Sequence, residues 1–149
     1  MPRLFVIDDD RDICEIVRLT LSDQYEVFAE TDGRRALERL ADVDPDVAVV
    51  DLVMPGVDGL TICERIKAER PDTLVVVITA ATAGSDLPDT FWRIGTPADG
   101  FLTKPFDPRL LVAKIHDLRV KRIEAKRQAE RHPPSEPLPP IAKDDETDL

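Results

Sequence analysis

Four apolar runs in this chain each stop at a polar residue: LFVIDD at Asp8 and Asp9, VAVVD at Asp51, VVVIT at Thr79 and GFLTK at Lys104. In a parallel α/β sheet the carboxyl ends of the strands share one rim, so this ordering gathers three carboxylates, a hydroxyl and an ammonium. Such a rim suits a small anion and a hard cation.

Residues 3–7, 25–29, 46–50, 74–78 and 100–102 read as strands, each a short apolar or β-branched run bounded by Asp, Gly or Pro. VAVV and LVVVI lack polar alternation, which favours parallel strands covered by helices on both faces. Amphipathic segments near 11–22, 33–41, 59–70 and 85–94 lie between them. In the first, Ile13, Ile16, Val17 and Thr20 are expected to pack on the sheet, with Asp10 or Asp12 as the cap. In the third, Leu60, Cys63 and Ile66 take that part, and Pro71 cannot continue the helix. A last helix starts at Pro108 with Leu111, Ile115 and Leu118 as its core stripe. Strand and helix alternating in this way predict a doubly wound α/β domain over residues 1–118.

Beyond Leu118 the stripe thins while Arg119, Lys121, Arg122, Lys126, Arg127 and Arg131 accumulate, so residues 119–132 are expected to project as a basic helical extension. Positions 111, 115, 118, 122, 125 and 129 step as in a coiled-coil seam. Arg122, Ala125 and Ala129 make that seam poor, which leaves homodimerisation through this helix as a secondary reading. Residues 133–149 hold PPSEPLPP and the acidic DDETDL, a composition expected to stay disordered.

The 149 residues, 42% of them hydrophobic, suffice for one core. A net charge of −10 argues against general nucleic-acid binding, which needs Lys and Arg to displace counterions from phosphates. With no signal-peptide pattern and no bilayer-length apolar run, the chain is expected to be cytoplasmic. Cys14 and Cys63 fall inside helix patterns and read as small buried hydrophobes rather than a metal or redox pair.

Asp8 and Asp9 are consecutive, so both serve one site only if the chain turns after Ile7. Three carboxylates held together with Asp51 repel unless a cation neutralises them, and oxygen-only ligands select Mg²⁺ or a similar hard metal. Lys104 and the Thr79 hydroxyl, together with that metal, match the three oxygens of a phosphoryl group, with Asp51 as the nucleophile.

VIDDD after the first strand, DLVMPGVDG from Asp51, ITAA at Thr79 and LTKPF around Lys104 stand in one order. Over residues 3–118 the chain resembles the receiver domains of two-component response regulators, and is similar to the stand-alone chemotaxis-type receivers. The resemblance implies a flavodoxin-like five-stranded sheet of order 2-1-3-4-5. It implies Asp51 as phosphoacceptor, Asp9 as direct Mg²⁺ ligand, Asp8 as a ligand through water and the Val53 carbonyl as a backbone ligand. Thr79 and Phe101 match the switch hydroxyl and switch aromatic, and the Lys104–Pro105 bond resembles the family's cis peptide. Val53, Ala80 and Ala81 flank the path to the phosphoryl group, and because neither Val53 nor Ala81 can orient a water, self-hydrolysis is expected to be slow.

Such a module accepts phosphate from a sensor histidine kinase or a histidine phosphotransfer protein and catalyses only its own phosphorylation and slow dephosphorylation. Its output face is expected around the fourth helix, fifth strand and last helix, a face that also offers a route to homodimers. The downstream partner is expected to be a protein, with no direct DNA contact and no membrane insertion. Between Thr79 and Lys104 this chain is a few residues longer than the commonest receivers and carries Pro88 and Pro97. Trp92 reads as packed against its own domain, and His116 as a polar residue of the last helix. With no output domain visible, the chain reads as a stand-alone regulator or as one piece of a longer protein. The alternatives are an Mg²⁺-dependent phosphohydrolase with Asp8 as nucleophile in a D-x-D pair with Asp10, and a phosphorylation-independent scaffold.

Overall fold

The computed structural model describes residues 1–80 and 97–131. Five strands alternate with helices: β1 (Arg3–Ile7), α1 (Arg11–Leu21), β2 (Glu26–Glu30), α2 (Gly33–Val43), β3 (Val47–Asp51), α3 (Gly59–Glu69), β4 (Leu74–Ala80), β5 (Gly100–Lys104) and a C-terminal helix (Pro108–Arg131). All strand pairs are parallel, in the order β2-β1-β3-β4-β5. The doubly wound, flavodoxin-like sheet read from the sequence is therefore the fold. The fourth helix expected at 85–94, with Pro88 and Trp92, lies outside the described residues, as do Ala81 and the tail 133–149.

Successive strand side chains point to opposite faces, and here both faces are dry. Leu4, Val6, Val47, Val49, Leu74, Val76 and Ile78 pack with Cys14, Val17 and Leu21 of α1 and with Leu111 and Ile115 of the C-terminal helix. Phe5, Ile7, Ala48, Val50, Val75 and Val77 pack on the other side with Ala36 and Leu40 of α2 and Ile62, Cys63 and Ile66 of α3. Two cores back to back explain why β1, β3 and β4 read as continuous apolar runs. Both cysteines are buried free thiols.

Two helix faces differ from expectation. In α1 the buried stripe is Cys14, Val17 and Leu21, while Ile16 is 38% exposed. In α3 Ile62 is buried beside Cys63 and Ile66, and Leu60 is only partly so. In each case the docking angle of the helix selects between overlapping stripes, which share Val17 in α1 and Cys63 and Ile66 in α3. Asp10, Asp32 and Asp58 cap α1, α2 and α3 by accepting backbone N–H bonds, each worth about 1 kcal/mol.

The chain ahead of β5 is tied down at the amino end of the sheet. The Asp99 carboxylate accepts from Val75 N–H at 2.8 Å and pairs with Lys67 Nζ at 2.8 Å, while Asp99 N–H donates to the Val75 carbonyl at 2.8 Å. Met1–Leu118 forms one compact unit, and a second starts at Arg119. Among the described residues, no helix is long and apolar enough to cross a membrane.

Candidate functional site

The polar rim is built from strand ends. Asp51, Thr79 and Lys104 belong to the last residues of β3, β4 and β5, and only Asp8 and Asp9 lie beyond their strand. β1 stops at Ile7, and Asp10 N–H donates to Asp8 Oδ1 at 2.9 Å, a turn that lets two consecutive carboxylates face one place. The Cys14 thiol donates to the Asp8 carbonyl at 3.3 Å, and Asp8 N–H to the Glu30 carbonyl at 3.1 Å, so the turn is anchored from both sides.

Carboxylate oxygens of Asp8, Asp9 and Asp51 all lie within 4.8 Å of one another. Asp8 is fully buried and Asp51 4% exposed, whereas Asp9 faces solvent. Lys104 Nζ bridges the buried pair, 2.8 Å from Asp8 Oδ2 and 3.3 Å from Asp51 Oδ2. Val53 N–H donates to Asp51 Oδ1 at 3.1 Å. The Lys104–Pro105 peptide is cis. The Asp10 carboxylate caps α1, accepting from Asp12 N–H at 2.9 Å, and does not belong to the Asp8–Asp9–Asp51 group.

The electrostatics follow from burial. Taking Asp51 out of water, with Asp8 beside it, pushes its carboxyl up to about 6, although the Val53 N–H and Lys104 oppose the shift. Burial works to lower the Lys104 ammonium, but the Asp8 and Asp51 carboxylates outweigh it and hold its pKa above the ordinary value. Lys104 thus pairs with both buried carboxylates of the cluster. Among the described residues Asp8 Oδ2 makes no well-aligned hydrogen bond, although Lys104 Nζ lies 2.8 Å from it. An all-oxygen donor set with surplus negative charge and a buried, underused oxygen fits a hard divalent cation.

Thr79 is partly buried and pairs in register with Thr103, two residues along the sheet from the Val77–Phe101 pair. Phe101 packs against the core on the α2 and α3 side. Val53, two residues beyond Asp51, is 69% exposed, and Ala80, the last residue of β4, is exposed.

One positioning residue escaped the sequence reading. A Cβ on Gly59 would sit 2.2 Å from the Asp51 carbonyl oxygen and 2.5 Å from Leu52 Cα, so α3 begins against the strand end that carries the central carboxylate. Gly59 N–H donates to the Leu52 carbonyl at 3.0 Å. The Asp58–Gly59 pair in PGVDG, a cap followed by a residue without a side chain, was the available signal.

Residues 4–116 match the model of the response regulator receiver domain. The DNA-binding dual master transcriptional regulator RpaA of Synechocystis is 32% identical over 133 residues, covering 89% of this chain and 54% of that protein. The chain spans about half the length of the curated relatives it matches. The BeF3-activated receiver domain of DrrB from Thermotoga maritima aligns with a TM-score of 0.69 at 30% identity, over 79% of this chain and 97% of that one. TrrA of Thermotoga maritima, in complex with Mg²⁺-BeF, aligns with a TM-score of 0.66 at 27% identity, over 79% and 99%. With this fold and this rim of acidic residues, the chain belongs to the response regulator receiver domain family, the phosphoacceptor signalling modules of two-component systems.

Proposed function

We propose that Asp51 is the phosphoacceptor and takes its phosphoryl group from a phosphohistidine of a sensor histidine kinase or a histidine phosphotransfer protein. The convergence of Asp8, Asp9 and Asp51 oxygens within 4.8 Å beside Lys104 carries this reading. Mg²⁺ is the proposed ion, held by the three carboxylates with the Val53 carbonyl, and TrrA with its bound Mg²⁺-BeF supports that choice. When bound, it supplies positive charge against the oxygens of the transferred group.

An Asp51 carboxylate oxygen forms a bond to phosphorus as the phosphorus–nitrogen bond of the donor imidazole breaks, which leaves an acyl phosphate and an imidazole free to take up a proton. Lys104 then pairs with a phosphoryl oxygen, and the Thr79 hydroxyl donates to another. Phe101 follows Thr79, and the surface around β5 and the C-terminal helix shifts between two packings that partners read, while the fourth helix expected in that face lies outside the described residues. Val53 and Ala80 flank the proposed approach, and Ala81, the third residue assigned to it by the resemblance, lies outside the described residues. The chain's chemistry is limited to its own phosphorylation and slow dephosphorylation, in the cytoplasm.

Residues 1–118 are the proposed receiver and 119–132 a basic helical extension, with 133–149 as a tail. Direct DNA contact is not proposed for this domain, because a net charge of −10 opposes binding to phosphates. A stand-alone, chemotaxis-type arrangement, in line with the likeness to the Vibrio cholerae chemotaxis protein CheY4, is distinguished from a longer regulator by the mass of the native polypeptide on an immunoblot. The decisive experiment is intact-mass spectrometry after incubation with a small phosphodonor and Mg²⁺. One phosphoryl adduct on the wild type, absent from Asp51→Asn, is expected; an adduct that survives in Asp51→Asn refutes the assignment.

A further inference from the structure

The second unit of the chain carries a charge pattern that the phosphoacceptor reading does not use. Between Arg119 and Arg131 stand six Lys or Arg against two Glu, a net charge of +4 in a protein of net charge −10. The whole stretch is helical. Arg119, Arg122 and Lys126 follow at steps of three and four and form one row, and Val120, Ile123 and Arg127 form a second row beside it. Glu124 falls at the edge of these rows and Glu130 near their end. Val120 and Ile123 are 38% and 47% exposed, so two aliphatic side chains lie on the surface among cations. A helical surface of this kind suits an extended anionic peptide that also carries aliphatic groups.

The chain itself contains one. Lys143–Leu149 reads KDDETDL, with four carboxylates against one ammonium, and Ile141 and Leu149 flank them. We infer that this acidic segment is an intramolecular ligand of the basic helical surface between Arg119 and Arg127. The lengths allow it: from Arg119 to Arg131 the helix spans about 18 Å, and the twelve residues 132–143 reach about 37 Å even in the extended polyproline form that their prolines favour. The tail can therefore lie back along the full basic stretch. A short tether also holds the segment at an effective concentration of about millimolar, so a contact with an intrinsic Kd at or below about a millimolar is half or more populated, and a free anionic competitor of equal affinity needs a comparable concentration to displace it. Charge sign, length and tether favour the chain's own tail over a second copy or an external polyanion. The inference is independent of phosphorylation at Asp51.

Zero-length carbodiimide cross-linking of the full chain tests it, because the reagent joins a carboxylate to a lysine amine only when the two touch. At low salt, peptides containing Lys126 should be joined to peptides containing Asp144, Asp145, Glu146 or Asp148, in preference to Lys121, which lies on the opposite side of the helix from both rows. In an equal mixture of ¹⁴N and ¹⁵N protein the joined peptides should be of one isotope. Yield should fall severalfold at about 0.5 M NaCl, where screening removes the attraction. Amide spectra supply a second readout: signals of Arg119–Arg131 should differ at low salt between wild type and the variant Asp144→Asn, Asp145→Asn, Glu146→Gln, Asp148→Asn, and coincide at high salt. Absence of helix-to-tail cross-links, or amide spectra that coincide at low salt, overturns the inference. Mixed-isotope products in statistical proportion also overturn it and assign the tail to a second copy.

Discussion

Replacing Asp51 by Asn should make the cation-free protein more stable. Asp51 is 4% exposed and faces the buried Asp8, and its carboxyl is pushed up from 3.8 to about 6 chiefly by burial and then by Asp8. A group whose pKa is raised on folding favours the fold fully below its unfolded value, near pH 4, and this contribution is lost as pH rises through about 6. That rise is worth roughly 3 kcal/mol. Asn is neutral, like the protonated acid, and keeps an acceptor for the Val53 N–H, but its amide must find a partner where Lys104 stood, at about 1 kcal/mol. In EDTA at about pH 7.5, urea denaturation should therefore show Asp51→Asn more stable by about 2 kcal/mol. The gap should shrink by about two thirds near pH 5, vanish near about pH 4.5 and reverse slightly below it. Saturating Mg²⁺ should raise the wild-type midpoint and leave the variant nearly unmoved, since binding to the native state adds stability in proportion to ln(1 + [L]/Kd). A variant no more stable than wild type at pH 7.5, or a gap that widens on acidification, would show that the Asp8–Asp51 pair is not the electrostatic burden described here.

Gly59→Ala should lower stability by about 3 kcal/mol or more and abolish Mg²⁺ binding with it, because the new methyl meets backbone at 2.2 Å; thermal denaturation and a Mg²⁺ titration check both. Burial pushes the Cys14 thiol up to about 11 and the Cys63 thiol up to about 12, so neither should react with an aromatic disulfide reagent near pH 8 until urea unfolds the chain, and rapid native labelling would count against this. Leu111→Ala, which empties a fully buried position between the C-terminal helix and the sheet, should cost about 2–5 kcal/mol in urea denaturation. Phosphorylated wild type should lose its adduct over minutes or longer, since the exposed Val53 side chain has no group to orient a water; a half-life of seconds by intact mass refutes this.

Much of the fold was legible because the apolar runs leave no face for water: a strand buried on both sides must be central and parallel, which placed β1, β3 and β4 at once. The rim was legible for the same reason, a lone polar residue at the end of an apolar run having no other surface to reach. Helix facing was less so. Val17 belongs to both candidate stripes of α1, and only the angle at which α1 meets the sheet decides that Cys14 and Leu21 go in while Ile16 stays out. The demand on Gly59 was hidden because it arises from the close approach of α3 to β3, a distance that no local pattern encodes.

The Asp99 tether, at the far end of β5 from Lys104, sets which residue of that strand faces which partner. Because alternate residues of a strand point to opposite faces, a slip of a single position would turn the ammonium out of the acidic rim altogether. The aim of the cation is thus governed from about five residues, or roughly 16 Å, away. A scan of variants for lost signalling should therefore reveal a hotspot at Lys67 and Asp99 that touches none of the chemistry, where damage to alignment passes for damage to the active centre.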